Sequence, residues 1–283
     1  MTGLQISQIL PPANCQSAGG DACHPQENLN FKNADSALSH VFSSNSQLQV
    51  LAFGYTHKET PFQRSAIEKF ANEMVPLLAG QEYHDLVLEI FPHGNPSDAI
   101  EIEISEFNRT GVIGPEMNRF MGVLDKPSFE LLLNQARKYG MAIHSGGVDY
   151  QNVNQTILHP NFVNEPWRVQ MARHEIAQNT KRRIKALVRG ERNVASLNGC
   201  SHNDLYPSAA NLSANFGRYL NNLFPGRVAE IDLVIPELSE RNNYFKDLAL
   251  SPKCFWKSFI PKQGVNLVSE LGKNSYLLFW PAP

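Results

Sequence analysis

Short apolar runs alternate with amphipathic stretches along most of this chain. Runs of four to eight aliphatic, β-branched or aromatic residues are typical of buried strands, whereas apolar residues at every third or fourth position are typical of helices. This pattern predicts strands at residues 48–53, 86–91, 141–144, 194–197, 228–235 and 276–280. Between them it predicts helices at residues 60–74, 126–140, 166–188 and 207–223.

The predicted helices carry recognisable start and stop signals. In the first, Thr60 is a suitable N-cap and Pro61 suits the first helical position. Two others end at glycines, Gly140 and Gly190, which are common just beyond the last turn of a helix. Each helix also has an apolar stripe that we expect to face the core; the first consists of Phe62, Ala66, Phe70 and Met74, and the last of Leu212, Phe216, Leu220 and Leu223.

Alternation of strands and helices at this spacing is typical of a parallel sheet. We therefore predict an α/β fold with a mostly parallel central sheet, covered by helices on both faces. Residues from about 238 to 275 contain Pro252 and Pro261 and predict an irregular C-terminal lobe before the last strand. Residues 1–34 are rich in Gln, Asn, Ser, Gly and Pro and predict a poorly ordered leader, so that residues 35–283 form a single domain.

The charge and the hydropathy of the chain exclude several classes of protein. The formal net charge is −2, and the densest basic run, residues 181–189, has the pattern of a solvated helix face, so no nucleic-acid partner is expected. No apolar run approaches the roughly 20 residues that span a bilayer, so we expect a soluble protein with no transmembrane segment. The N-terminus lacks a recognisable signal peptide, which predicts a cytoplasmic protein and leaves secretion by another route open.

The strongest functional signal is a motif that occurs twice. The stretches "QVLAFGYTH" (49–57) and "NVASLNGCSH" (193–202) are each an apolar run followed by G-x-x-H. In a parallel sheet, ligands bind beyond the carboxyl ends of the strands. Glycine allows a sharp turn off each strand, so that His57 and His202 are expected at that edge.

Other predicted strand ends carry polar groups too. Glu89 lies within the apolar run "DLVLEIF", His144 and Asp149 lie in "AIHSGGVDY", and Asp204 lies in "GCSHND". If these ends meet, an imidazole beside a carboxylate makes a general base. Two imidazoles and a carboxylate also make a metal site with open positions.

Each of these residues also has a structural interpretation. A buried Glu89 needs a partner, which a salt bridge with Arg168 or Arg173 would supply. Asp204 is suitably placed to cap the helix that follows it. Cys200 is expected to be a packing residue, since none of the four cysteines belongs to a C-x-x-C pair.

The order "FGYTH", "LVLEIF", "GGVDY" and "NGCSH" resembles the superfamily of TIKI/TraB-type proteases, ChaN-like haem-binding proteins and erythromycin esterases. The resemblance covers roughly residues 47–236 and includes the long helix "RVQMARHEIAQNTKRRI". It implies that His57 is a general base or metal ligand, that Glu89 is the carboxylate of the second strand, and that His202 is a second ligand or stabilises developing charge. It also implies supporting roles for Arg173 and Asn179.

One position departs from the pattern of that superfamily. The esterase and ChaN-like branches carry an acidic residue directly after the first glycine, where this chain has Tyr55. A tyrosine there can instead donate a hydrogen bond to an oxyanion. The departure favours the protease-like branch.

The sequence therefore predicts a hydrolase that cleaves an amide or ester in a small molecule or peptide. The catalytic residues are expected to be His57, Glu89 and His202, which would also be the ligands of a divalent metal ion if one is bound. Two alternatives remain at this stage: a non-catalytic protein that holds haem or another metal-bearing ligand, and a secreted effector or toxin-related domain. The supporting residues would be Tyr55, His144, Asp149, Arg173 and Asp204.

Overall fold

The structure is a computed structural model of the chain. It describes residues 27–55, 66–207, 209–235, 259–269 and 272–281. His57, Thr60, Pro61 and Phe62 lie outside the described residues, as does most of the leader predicted at residues 1–34.

The described residues form one eight-stranded sheet in the order β1-β7-β8-β6-β2-β5-β3-β4. Its strands are β1 Glu27–Phe31, β2 Val50–Tyr55, β3 Tyr83–Leu88, β4 Ala142–Ser145, β5 Asn193–Gly199, β6 Val228–Val234, β7 Val265–Ser269 and β8 Ser275–Phe279. The six strands from β8 to β4 are mutually parallel, and β7 and β1 complete one edge in antiparallel pairing. The prediction of an α/β fold with a mostly parallel sheet is confirmed.

Two strands were not predicted. β1 lies within residues 27–31, inside the predicted leader, and β7 lies inside the stretch predicted to be an irregular lobe. Both pair at the antiparallel edge, where Asn30 donates from Nδ2 to Asn266 Oδ1 at 2.7 Å. Their alternating polar and apolar residues are typical of an edge that is only partly covered, which is a weaker signal than an apolar run.

Helices cover both faces of the sheet. They are α1 Ala34–Ser44, α2 Ala66–Lys69, α3 Val75–Gly80, α4 Ala99–Thr110, α5 Pro115–Leu124, α6 Lys126–Lys138, α7 Pro166–Arg189 and α8 Gly217–Leu223. One core packs α1–α6 against strand residues such as Phe53 and Leu197. The other packs α7 and α8 against alternate residues of the same strands, such as Ala52 and Val194. Side chains of successive strand residues therefore enter opposite cores, as the period of two requires.

The helix that follows β2 is continuous but not uniform. A π-helical turn, Phe70–Met74, joins α2 to α3. Pro76 follows directly, and its ring lacks an N–H and clashes with the carbonyl four residues earlier, which favours a wider turn. Ala66, Phe70 and Met74 are buried, as their spacing predicts.

The helix predicted at residues 207–223 is two shorter elements. A 3₁₀ segment, Ala209–Ala214, precedes α8, and Asn215 and Phe216 separate the two. The Phe216 N–H donates to the His202 carbonyl at 2.8 Å, which draws the chain onto the loop after β5. Phe216 and Leu220 are buried as predicted, whereas Leu212, in the 3₁₀ segment, and Leu223, the last residue of α8, are exposed.

None of the described helices is both long and apolar enough to cross a membrane.

Candidate functional site

The ends of three neighbouring strands bring the first candidate residues together. β5 lies between β2 and β3, and the register places Tyr55 beside Gly199. On the other side, the Glu89 N–H points to the Leu197 carbonyl at 3.5 Å, one residue beyond the end of β3. Tyr55 and Glu89 therefore lie on the two strand ends that flank Gly199.

Glu89 is a buried carboxyl group, with 9% of its surface exposed. Burial raises its pKa to about 7, although hydrogen bonds from the Gly199 N–H and the Tyr55 hydroxyl favour the ionised form and limit the rise. Desolvation disfavours a buried carboxylate, and each donor compensates only part of that cost. Glu89 is therefore able to gain or lose a proton near neutral pH, as a general acid–base must.

Tyr55 is buried against Glu89, with 2% of its surface exposed. Its burial, together with the charge and the hydrogen bond of Glu89, raises its pKa well above the usual value of a tyrosine. The hydroxyl thus stays protonated at physiological pH and acts as a hydrogen-bond donor. The predicted role of Tyr55 as a donor to an oxyanion stays a prediction.

The loop after β5 brings His202 to the same edge. The Cys200 N–H donates to the Tyr55 carbonyl at 3.2 Å, and the His202 N–H donates to the Gly199 carbonyl at 3.0 Å. The imidazole is buried, and its Nδ1 lies 2.8 Å from the Ala214 carbonyl. Because a carbonyl only accepts, Nδ1 carries the proton and Nε2 holds the lone pair, which is the tautomer of a base or a metal ligand.

A pair of buried carboxylates on β6 anchors this loop. Asn203 Nδ2 donates to Asp232 Oδ1 at 2.8 Å and to the Ala52 carbonyl at 3.2 Å. The Leu205 N–H donates to Glu230 Oε2 at 2.7 Å. The loop therefore crosses from β5 over β2 to β6, and it carries His202 with it.

Gly54, the first residue of the "GYTH" motif, makes that crossing possible. A Cβ at this position would overlap the Asp232 carboxylate and would lie 2.9 Å from Asn203 Nδ2 and from the Cα of Cys200. The sequence predicted that this glycine serves a turn. The structure places Gly54 within β2, where it provides space for the second histidine loop, and residues 56–65, which would form the turn, lie outside the described part.

Asp204 contacts Glu230 on β6. Burial raises the pKa of Asp204, and a hydrogen bond with Glu230 opposes part of that rise. Two carboxyl groups in contact share a proton more readily than they both ionise. Asp204 therefore helps to hold the loop, through its contact with Glu230 on β6.

The remaining predicted residues lie apart from Glu89. His144 is directed toward the beginning of β3, where its Nε2 lies 2.6 Å from Asp85 Oδ1, and Arg192 Nη2 lies 2.5 Å from the same oxygen. Asp149 accepts a hydrogen bond from Asn179 Nδ2 at 2.9 Å.

Arg173, on α7, reaches the segment that follows the His202 loop. Its Nη2 donates to Asn211 Oδ1 at 3.3 Å. The suggested salt bridge of Glu89 with Arg168 does not form, because Arg168 pairs with Glu165 at 2.7 Å.

Sequence reasoning missed two groups of polar residues. Glu230 and Asp232 interrupt the apolar run "VAEIDLV" in the same way as Glu89 interrupts "DLVLEIF", and this signal was available. A second group surrounds His93, where Glu101, Ser145 and Arg183 lie within hydrogen-bonding distance of one another. These residues come from four separate elements, and no sequence spacing connects them.

Within the described residues, no three His, Cys, Asp or Glu side chains lie close enough together to hold a metal ion. The predicted ligand set includes His57, which lies outside the described residues. Glu89 and His202 are two groups of a suitable kind, since His202 Nε2 holds the lone pair and Glu89 is a carboxylate.

Comparisons with known proteins leave the family of this chain unassigned. No protein-family model matches it, and no curated protein matches it. Among solved structures, it is similar to RRSP, a MARTX toxin effector domain from Vibrio vulnificus CMCP6, at 19% identity over 62% of this chain and 31% of that chain, with a TM-score of 0.44. The chain thus spans about a third of the length of that toxin structure.

The chain is also similar to ChaN of Campylobacter jejuni, from a structure that describes cofacial heme binding. The identity is 11% over 72% of this chain and 86% of that chain, with a TM-score of 0.46. ChaN belongs to the grouping that the sequence motifs resemble. At these TM-scores, neither similarity assigns a function to this chain.

The pH dependence of stability tests the environment of Glu89. The pKa of Glu89 is about 7 in the folded protein and 4.5 in the unfolded chain. The contribution of Glu89 to the free energy of unfolding is therefore full below about pH 4.5, and it is lost as the pH rises through about 7. We expect Glu89→Gln to be as stable as the wild type or slightly less so at pH 4, and more stable at pH 9 by up to about 3 kcal/mol. Urea unfolding at both pH values measures this difference.

The exposed Glu106, which pairs with Arg109 on the surface of α4, provides the matched control. Glu106→Gln should change the free energy of unfolding by the same small amount at both pH values. If Glu89→Gln changed the free energy of unfolding equally at both pH values, as the control should, Glu89 would not have a raised pKa.

A second variant tests the crossing of the loop over β2. Gly54→Ala should lower the free energy of unfolding by about 1–3 kcal/mol, because the new methyl group overlaps Asp232 and Asn203. Gly122→Ala on α5 is the control, since a Cβ there meets nothing within 4 Å and should raise stability by up to about 1 kcal/mol. Equal stability of the two variants would contradict the close packing at Gly54.

Proposed function

We propose that this protein is a hydrolase that cleaves an amide or ester bond and uses Glu89 as its general acid–base. The observation that carries the proposal is a buried carboxyl group at the carboxyl edge of a parallel sheet, held by Tyr55 and Gly199, with its pKa raised to about 7. A structural carboxylate is usually kept ionised by a cation or several donors, whereas this one is poised between its two forms. That property is required of a group that takes a proton and returns it.

The proposed reaction uses Glu89 twice. The ionised carboxylate accepts a proton from a water molecule as the water oxygen bonds to the carbonyl carbon of the substrate. The resulting tetrahedral intermediate collapses, and the bond to the amine or alcohol breaks. Glu89 then returns the proton to the leaving group and is ready for the next turnover.

Tyr55 supports both stages. Its pKa is raised by burial and by Glu89, so the hydroxyl remains a donor throughout the reaction. The hydrogen bond from this hydroxyl favours the ionised carboxylate and so lowers the pKa of Glu89. When Glu89 is protonated, the same hydroxyl is available to donate to the oxyanion of the intermediate, where such a donor is worth about two to three orders of magnitude in rate.

His202 contributes a nitrogen lone pair at the same edge. With Nδ1 held by the Ala214 carbonyl, Nε2 accepts a proton or ligates a metal ion. Together with Glu89 and His57 it would complete a ligand set of two imidazoles and one carboxylate. A divalent ion bound there would lower the pKa of its water toward about 7.

Turnover of p-nitrophenyl acetate and of alanine p-nitroanilide tests the proposal. Glu89→Gln should lower kcat by about 10²- to 10⁴-fold, because the amide cannot exchange a proton. The kcat/KM of the wild type should rise with pH through an apparent pKa of about 7, as the base form of Glu89 appears. Tyr55→Phe should move that midpoint to higher pH, since a donor that favours the ionised carboxylate is lost.

Glu106→Gln is again the control and should retain the full rate. Full turnover by Glu89→Gln, with an unchanged pH profile, would rule out its role. Elemental analysis of the wild type, His57→Ala and His202→Ala decides between the two forms of the mechanism: one divalent ion per chain that both variants lose establishes the metal-assisted form. The haem-binding alternative predicts a Soret band on haem titration and no turnover of either substrate.

A further inference from the structure

A second cleft opens at the same edge of the sheet, beyond the ends of β3 and β4. It has a volume of about 220 Å³ and lies between the loops at residues 93–98 and 149–152. That volume is below the range of pockets for drug-sized ligands and suits a molecule of a few heavy atoms. Its polar lining includes His93, Asp98, Asp149, Tyr150, Asn152 and Arg182.

The two loops are joined by backbone hydrogen bonds, so the cleft is a built feature. The His93 N–H donates to the Val148 carbonyl at 2.8 Å, and the Tyr150 N–H donates to the His93 carbonyl at 2.8 Å. Gly147 packs so closely on Glu89 and Phe91 that a side chain there would overlap their carbonyls. This packing links the walls of the cleft to the strand end that carries Glu89.

The imidazole of His93 is held from one side only. Its Nδ1 lies 3.4 Å from Ser145 Oγ, 3.4 Å from Arg183 Nη2 and 3.5 Å from Glu101 Oε1. All three contacts are to the same nitrogen. The other nitrogen, Nε2, has no partner among the residues that the structure describes, and the ring lines the cleft.

Glu101 and Arg183 neutralise each other beneath the cleft. Arg183 Nη2 lies 3.0 Å from Glu101 Oε1. Burial by itself would raise the pKa of Glu101, but hydrogen bonds from His93 and Ser145 and the charge of Arg183 outweigh it and lower the pKa to about 2. Glu101 therefore stays ionised, and this pair adds no net charge to the cleft.

This network is not a catalytic triad, although it contains serine, histidine and a carboxylate. Ser145 is fully buried, and its hydroxyl donates to Glu101. A nucleophilic serine needs its oxygen exposed to substrate and its proton directed to the imidazole. The network instead fixes the orientation of His93.

The charges that remain for a ligand have both signs. Arg182 Nη1 donates to Asn179 Oδ1 at 3.0 Å, a neutral partner, and in the described part of the chain no carboxylate forms an ion pair with it. Asp98 accepts the Asn95 N–H through Oδ2 at 2.7 Å, and Asp149 accepts Asn179 Nδ2 through Oδ1 at 2.9 Å. Each of these carboxylates keeps a second oxygen.

The guanidinium group of Arg182 and the carboxylates of Asp98 and Asp149 line one small cleft. Together they are complementary to a zwitterion, which carries one negative and one positive group. Guanidinium binds carboxylate through two parallel hydrogen bonds, and an ammonium group donates to several carboxylate oxygens at once. The described residues provide no cluster of ligands for a metal ion here, so an ammonium group is the cation that fits.

We propose that this cleft binds a free amino-acid unit, with its carboxylate on Arg182 and its ammonium group between Asp98 and Asp149. His93 follows Glu89 by four residues, and four residues of chain span at most about 14 Å. A small zwitterion held in the cleft through both of its charges therefore lies close to the strand end that carries Glu89. The role as a substrate site rests on the proposed hydrolase function; the binding itself does not.

Isothermal titration calorimetry with the dipeptide Ala-Ala tests the binding, using the full chain with Glu89→Gln so that no substrate is consumed. We expect saturable binding of Ala-Ala and none of N-acetylalaninamide, which has the same backbone without the charges. Arg182→Gln and Asp98→Asn should each weaken Ala-Ala binding at least tenfold. Arg189→Gln, in the last turn of the same helix, should leave it unchanged.

The outcomes separate this inference from the proposed function. Equal binding of the two peptides, or tight Ala-Ala binding by Arg182→Gln with an unchanged thermal midpoint, would overturn the assignment of the cleft. Ester turnover by the wild type without any Ala-Ala binding would overturn the cleft and leave the hydrolase intact. Ala-Ala binding without turnover of any substrate would support the cleft as a ligand site while removing its role in catalysis.

Discussion

The close crossing of one loop over one strand determines the arrangement at the edge of this sheet. Residues 200–205 leave β5, pass over the end of β2 and bond to two buried carboxylates on β6, and only a glycine at position 54 leaves space for them. The crossing places His202 above the strand that leads into the first G-x-x-H motif. Without it, His202 need not lie at the end of β2, because a loop of this length has many alternative paths.

Buried carboxyl groups at this edge show how environment decides protonation. Burial raises the pKa of Glu89 to about 7, and the hydrogen bonds from Gly199 and Tyr55 offset only part of that rise. Glu101 is half-buried, which by itself raises its pKa, but Arg183 and three donors outweigh this and lower the pKa to about 2. The first group is suited to proton transfer and the second to holding other side chains in place. The same residue type is thus poised for proton transfer in one position and kept ionised in the other.

The sequence predicted the central part of the fold better than its margins. All six predicted strands are present, because strands buried on both faces produce apolar runs that are visible in a single sequence. The two missed strands pair at an antiparallel edge, and their alternating polar and apolar residues are a weaker signal than an apolar run. One of them, β7, also follows a proline-containing stretch. The helix predicted at residues 207–223 was wrong in its continuity, since the Phe216 N–H is taken by the His202 carbonyl, a tertiary contact that no local pattern reports.

By itself, the sequence determined the alternation of strands and helices, the parallel sheet, and the presence of polar groups at the ends of several strands. It also identified Glu89 and Tyr55, since a charge within an apolar run and a residue directly after a strand are local features. Only the tertiary structure decided which of these groups meet. In the folded protein, His144 contacts Asp85 and Asp204 contacts Glu230. Asp149 lines the second cleft. Tyr55 and Glu89, by contrast, contact each other. Those outcomes depend on contacts between residues far apart in the chain, and spacing along a sequence carries no information about such distances.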